Sequence, residues 1–137
     1  MREILFRGKR ADNGEWVYGV PTKDSHGETV MVESVYECEE YNCRGANCLY
    51  VNENTVGQYT GLTDTNGTKI FEGDVVDLVY NGDWHIYQVV YDVSELDFKA
   101  TNGKEEYRNN FQYLTCCDEV EVIGNIHDNP ELAEALL

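Results

Sequence analysis

The sequence predicts a mainly β fold: an SH3-like small barrel with an N-terminal β-hairpin element and a short C-terminal helix. Three observations carry this expectation. Thr55 to Asp74, reading TVGQYTGLTDTNGTKIFEGD, places glycines at 57, 61, 67 and 73 between short runs of Val, Tyr, Thr, Ile and Phe. Such punctuation leaves no length for a helix between turns. The composition agrees, with twelve glycines, two prolines and ten tyrosines in 137 residues. Turn signals also recur every eight to twelve residues or so, the spacing of short strands in a barrel or sandwich.

The elements follow in order. REILFRGKR and EWVYGVP read as a hairpin turned at Asp12-Asn13-Gly14, because Asn and Gly tolerate positive φ. Trp16, Tyr18 and Val20 share one face of the returning strand, and Pro21 ends the pairing or sits at an edge. Ser25-His26-Gly27 is a second turn, followed by a strand from Thr29 to Tyr36. Glu37 to Asn54 is polar and Asn-rich and holds three of the five cysteines. It reads as a long, mobile connection with a short strand at Leu49 to Val51.

From Thr55 the β signal persists. Asp64 to Gly67 is a loop, Lys69 to Phe71 a short strand, and Gly73 a sharp entry into Asp74 to Tyr80. Asn81-Gly82 is a type I′ hairpin signal. On the return strand, Trp84, Ile86 and Val90 occupy one face and His85, Tyr87, Val89 and Tyr91 the other. Two apolar faces predict a central hairpin covered on both sides. Leu96, Phe98 and Ala100 alternate with polar neighbours up to Asn102-Gly103. Tyr107 to Cys117 fits either a helical turn or an irregular strand, and Glu119 to Ile126 is a strand. Asp128 or Asn129 can cap a helix whose first residue is Pro130. One compact unit is expected, with 1–54 as hairpin region and loop and 55–137 as the barrel and helix.

Charge narrows the function. Ten Lys and Arg face 26 Asp and Glu, a formal −16. A phosphate backbone is repelled by such a surface, so direct nucleic-acid binding is not expected. Arg2, Arg7, Lys9 and Arg10 form one basic cluster, read as balancing nearby acids. No apolar run reaches the roughly 18 residues that span a bilayer. No signal-peptide core opens the chain, so a cytoplasmic protein with reduced cysteines is expected and no membrane partner.

The stretches REILFRGKR with Trp16, QYTGLTDTNGTKIFEGDVV (Gln58 to Val76) and EVIGNIHDNPEL (Glu121 to Leu132) together resemble the YopX family of phage and prophage proteins. Glu37 to Asn54 and Leu96 to Asp118 are not carried by the resemblance. It implies a β-rich fold, an origin in a mobile element and self-association, and it supplies no catalytic residues. Within the shared stretch, Gly61, Gly67 and Gly73 fit backbone conformations closed to other residues, and Gly124 fits a close backbone approach. Gln58, Tyr59, Thr60, Glu72 and Asp74 are explained by a hydrogen-bond network that fixes the turns, without a ligand.

Candidate chemistry is sparse. Cys38, Cys43 and Cys48 have a C-x4-C-x4-C spacing, which lacks the second ligand pair of a zinc site unless Cys116-Cys117 or His26 folds nearby. His26, His85 and His127 have no adjacent nucleophile in a recognisable motif. Glu37, Glu39 and Glu40, and Asp92, Glu95 and Asp97, lack EF-hand spacing. No nucleotide-binding fingerprint occurs. Tyr18, Tyr59, Tyr80, Tyr87 and Tyr91 suit either a core rim or a protein contact, and Leu132, Leu136 and Leu137 add a second apolar element. The expectation is a non-enzymatic protein without cofactor or metal that self-associates and acts through an unknown protein partner. The alternative is an acidic DNA mimic that blocks a host nucleic-acid-binding protein.

Overall fold

The computed structural model describes residues 2–38, 40, 43–102, 111–117 and 119–135. The chain divides into two compact units, Met1–Tyr59 and Thr60–Leu137.

In the first unit, strands β1 (Phe6–Lys9), β2 (Trp16–Lys23), β3 (Thr29–Cys38) and β4 (Cys43–Tyr50) form successive antiparallel hairpins. The start of β5 (Gly57–Thr63) pairs on the other side of β1, giving the order β4-β3-β2-β1-β5. The first hairpin turns where Asp12-Asn13-Gly14 predicts. Pairing of β2 with β1 ends at Gly19, so Pro21 lies beyond β1 and faces only β3, opposite Met31. Val17, Met31 and Val51 make the buried core, with Phe6, Leu49 and Val56 packed against it. Tyr18 and Val20 are exposed; the covered face of β2 is the one that carries Val17.

The expected connection over Glu37 to Asn54 is corrected. β3 runs on to Cys38, and β4 returns along it with Cys38 opposite Cys43 and Val30 opposite Tyr50. The connection after β4 is Asn52 to Val56, organised by a 3-10 turn at Glu53–Thr55. Over its outer half, backbone pairing rather than a buried side-chain face holds this hairpin. Past the shift in register between Val32 and Ser34, the described side chains of β3 are exposed.

The second unit continues β5 and adds β6 (Lys69–Phe71) beside it, then a five-stranded antiparallel sheet. Its strands are β7 (Asp74–Tyr80), β8 (Asp83–Asp92), β9 (Asp97–Thr101), β10 (Phe111–Tyr113) and β11 (Glu119–Asn125), in the order β10-β9-β8-β7-β11. β7 and β8 are joined by the two-residue turn read from the sequence, with φ of 52° at Asn81 and 80° at Gly82. Val76, Leu78, Tyr87, Val89, Ala100, Leu114, Val120 and Ile70 form the core.

The mainly β class holds, with two antiparallel sheets and one short helix, α1 (Pro130–Ala135), among the described residues. The SH3-like closure expected from the sequence is not what the strand order describes. Closing a barrel requires its terminal strands to pair. Here β10 and β11 end the sheet, β10 is three residues long, and β11 shifts register between Val122 and Gly124. The region read as helical turn or strand supplies both β10 and a 3-10 turn at Leu114–Cys116, while 103–110 lies outside the described residues. The central hairpin is covered on one face only over β8: Tyr87 and Val89 are buried, whereas Trp84 is 55% and Ile86 44% exposed.

α1 packs along β11 at Gly124, where a Cβ would lie 2.4 Å from Asn129 Oδ1 and 2.9 Å from Leu132 Cδ1. Gly124→Val is expected to push α1 off the sheet and to destabilise the fold by about 1–3 kcal/mol, the usual range for overpacking. Thermal unfolding checks this.

Candidate interaction surfaces

The longest surface element of the first unit is the outer half of the β3–β4 hairpin. β2 pairs with β3 only from Thr29 to Val32, so Ser34–Cys38 pairs with β4 alone among the described residues. A two-stranded ribbon is marginal in water without a third strand or a covering surface. Val35 is 79% and Tyr36 51% exposed on it. Tyr36 lies opposite Gly45, and a Cβ on Gly45 would sit 2.6 Å from the Tyr36 ring, so the ring lies over the glycine. This close fit shields a weak point of the strand. Glu37 and Arg44 pair across the ribbon at 3.2 Å. Together with Val35 and Ala46 these residues line an open concavity.

β4 ends the sheet order, and its outer edge is an unpaired row of backbone donors and acceptors among the described residues. Edge strands are normally blunted by Lys, Pro or a bulge. β4 reads CRGANCLY, with neither Lys nor Pro; its one charge is Arg44, the register shift falls on β3 between Val32 and Ser34, and from Cys43 to Asn52 there is no Asp or Glu.

In the second unit, the tightest charged cluster joins β8, β9 and β10. Lys99 Nζ lies 2.7 Å from Asp92 Oδ2 and 2.8 Å from Glu95 Oε2, and 5.5 Å from the centre of the Tyr113 ring. Tyr113 OH donates to Glu95 Oε2 at 2.6 Å, and Ser94 Oγ to Asp92 Oδ1 at 2.6 Å. Two of the three acids weighed as a cation site, Asp92 and Glu95, thus hold a buried lysine ammonium instead. Bonds to Asp92 and then Glu95 hold the Lys99 ammonium well above the ordinary lysine range. The Lys99 bond, with help from Ser94, holds Asp92 far below the usual carboxylate range. Lys99, then Tyr113, lower Glu95.

Depressed carboxylates stabilise the fold above their unfolded values near pH 4 and lose that contribution as pH falls through the folded ones. The raised lysine contributes below its unfolded value near 10.4 and loses it only as pH rises through the higher folded one. Glu95→Gln is therefore expected to lower Tm at about pH 7, with the gap to wild type shrinking at about pH 3. Melts at both values measure it; an equal gap at each contradicts it.

Most sequence candidates resolve into structural roles. Of the basic cluster, Arg10 pairs with Asp12 at 2.7 Å, while Arg7 and Lys9 lie over the Trp16 ring at 4.6 and 5.4 Å. These stacks are cation–π contacts that keep the cations against the sheet. Arg2 is exposed.

The three spaced cysteines are not brought together. Cys38 and Cys43 are opposite at the hairpin end, and Cys48 lies five strand positions beyond Cys43, about 17 Å away at the rise of a strand. Cys48 is an exposed free thiol, and Cys117 bonds the Tyr113 carbonyl at 3.6 Å. The side chains of Cys38, Cys43 and Cys116 lie outside the described residues. No group of three His, Cys, Asp or Glu side chains is placed to hold a metal ion among the described residues.

His26 is exposed in its turn, His85 lies 5.8 Å from the Tyr87 ring, and the His127 N–H donates to Asn125 Oδ1. Asp97 accepts from the Phe98 N–H, Glu40 is exposed, and Glu39 lies outside the described residues. Tyr59 and Tyr87 are buried, Tyr18 and Tyr91 exposed, and Tyr91 packs on Phe98 at 5.1 Å. The Tyr80 side chain lies outside the described residues. Leu132 meets Gly124, whereas Leu136 and Leu137 also lie outside them.

Two of the shared polar residues, Thr60 and Asp74, fix local backbone. Thr60 Oγ1 donates to the Ile70 carbonyl at 2.9 Å, and buried Asp74 accepts from the Phe71 N–H at 2.7 Å. Gly73 has φ of 93°, the left-handed entry that the strand start requires. Among the described residues no buried side-chain nitrogen or oxygen lacks a hydrogen-bond partner. No described helix is long and apolar enough to cross a membrane.

Comparison with known proteins adds two findings. The profile of the YopX protein family matches residues 5–134. The structure is similar to the crystal structure of protein EF1440 from Enterococcus faecalis, with a TM-score of 0.64 at 23% identity over 97% of this chain and 99% of that one. At that identity the likeness is one of fold. No curated protein matches the chain.

Proposed function

We propose that this chain, which belongs to the YopX family, is a non-enzymatic phage or prophage protein that acts in the host cytoplasm through protein contacts and self-association. The observation that carries the reading is the β3–β4 ribbon: two strands with exposed Val35 and Tyr36 and an outer edge on β4 that is unpaired among the described residues. Pairing of β4 with β4 of a second copy would satisfy that edge and extend the sheet. Charge favours this site for contact between copies. In a protein of net charge −16, Cys43 to Asn52 is free of acids, so like-charge repulsion is low there.

Light scattering at micromolar concentration tests the reading. Wild-type protein is expected to run as an oligomer, and Ala46→Pro, which removes a backbone donor from β4, is expected to shift it to monomer. A strictly monomeric wild type contradicts the proposal.

The alternative of an acidic mimic of nucleic acid draws on the same charge. From Thr60 onward there are four Lys and Arg against 16 Asp and Glu, a formal −12 of the total −16. Salt-sensitive binding to a basic, nucleic-acid-binding protein is its test.

A further inference from the structure

We infer that the outward face of the second unit's five-stranded sheet is a docking surface for a cationic, amphipathic segment of another protein. The register defines the surface. Trp84 on β8 is opposite Val79 on β7, and Val79 is opposite Glu119 on β11; in the next row Ile86 is opposite Asp77, and Asp77 opposite Glu121. Directly opposite residues of an antiparallel sheet project to the same face. Each row therefore starts on an exposed apolar side chain of β8 and ends, two strand spacings or about 10 Å away, on an exposed carboxylate of β11. The other face of the same strands holds Leu78, Tyr87 and Val120 in the core, so Trp84 and Ile86 are not needed to fill it.

Charge selects the occupant. The two cations among the described residues of this unit are Lys69 and Lys99; Lys99 is held by Asp92 and Glu95, and neither stands in the two rows. A second copy would bring another −12 against these carboxylates, and a nucleic acid or anionic lipid surface would be repelled. A segment that sets Lys or Arg beside an aliphatic or aromatic residue matches both halves of each row: the apolar part covers Trp84 and Ile86 while its cations meet Asp77, Glu119 and Glu121. Trp is also the residue type most enriched among binding hot spots. This surface is separate from the β4 edge, so it stands whether or not the ribbon self-associates.

The probe is a synthetic helical peptide with lysines on one face and leucines on the other. Its controls are polylysine and the same peptide with serine in place of lysine. The amphipathic cation is expected to bind the full-length protein at least about tenfold more tightly than either control, with amide shifts centred on 77–79, 84–86 and 119–121. Trp84→Ser and the double change E119K/E121K should each weaken it about tenfold or more, and added salt should weaken it as well. Equal binding of polylysine, or amide shifts centred elsewhere on the wild-type protein, would overturn the inference. So would a Trp84→Ser protein that binds as wild type does. The shift map needs no variant and so does not depend on how the substitutions fold.

Discussion

Asp64→Ala is expected to destabilise the protein by about 3 kcal/mol, among the largest effects of any single polar substitution. Asp64 is buried at the start of the β5–β6 loop. Its Oδ1 accepts from the Asn66 N–H at 2.9 Å and the Thr68 N–H at 2.8 Å, and its Oδ2 from the Val122 N–H at 3.0 Å. One carboxylate thus folds its own loop and ties that loop to β11. Burial pushes the carboxyl up, but the three N–H donors outweigh burial and leave it below the ordinary range. Alanine removes both acceptor oxygens, and with them all three bonds, and strands donors that have little access to water. Asp64→Asn separates the contributions. It keeps one acceptor for the loop and turns an amide NH2 toward Val122, so its loss should be smaller than that of alanine. Chemical denaturation of both variants reads the order, and equal losses would contradict this account of the loop.

Leu78→Ala is expected to cost about 2–5 kcal/mol, whereas Trp84→Ala should change stability by no more than about 0.5 kcal/mol. Both residues lie on the β7–β8 hairpin. Leu78 is fully buried among Val76, Tyr87, Val89 and Ala100, and truncation leaves a cavity that close-packed neighbours fill only in part. Trp84 projects from the other face and is more than half exposed. A larger loss from the smaller side chain inverts what residue size alone predicts. Comparable losses at the two positions would show that the outward face is covered, and would remove the basis for a docking surface there.

Local chemistry made much of the fold legible from sequence. Asp12-Asn13-Gly14 and Asn81-Gly82 specify their hairpins because the required positive φ is cheap only for such residues. Pro130 after Asp128-Asn129 marks the helix start for a similarly local reason. What was not legible has a common cause. The β3–β4 ribbon buries neither face over its outer half, so the alternation that reveals a strand is missing, and Asn, Gly and Cys read as a connection. β8 carries apolar residues on both faces, and periodicity cannot tell a covered face from an exposed one. Lys99 draws its partners from the β8–β9 turn and β10, and only the folded sheet brings Asp92, Glu95 and Tyr113 to it. Asp64 was within reach: an Asp followed by Thr-Asn-Gly-Thr is the pattern of a side chain that folds its own loop.

The proposal that copies of the chain meet through the exposed ribbon is tested most directly by amide hydrogen exchange at 43–49, compared between dilute and concentrated protein. Protection of β4 amides that rises with concentration, and is lost in Ala46→Pro, is the predicted result. Exchange at 43–49 that is identical at both concentrations, while the protein is oligomeric by scattering, would contradict it.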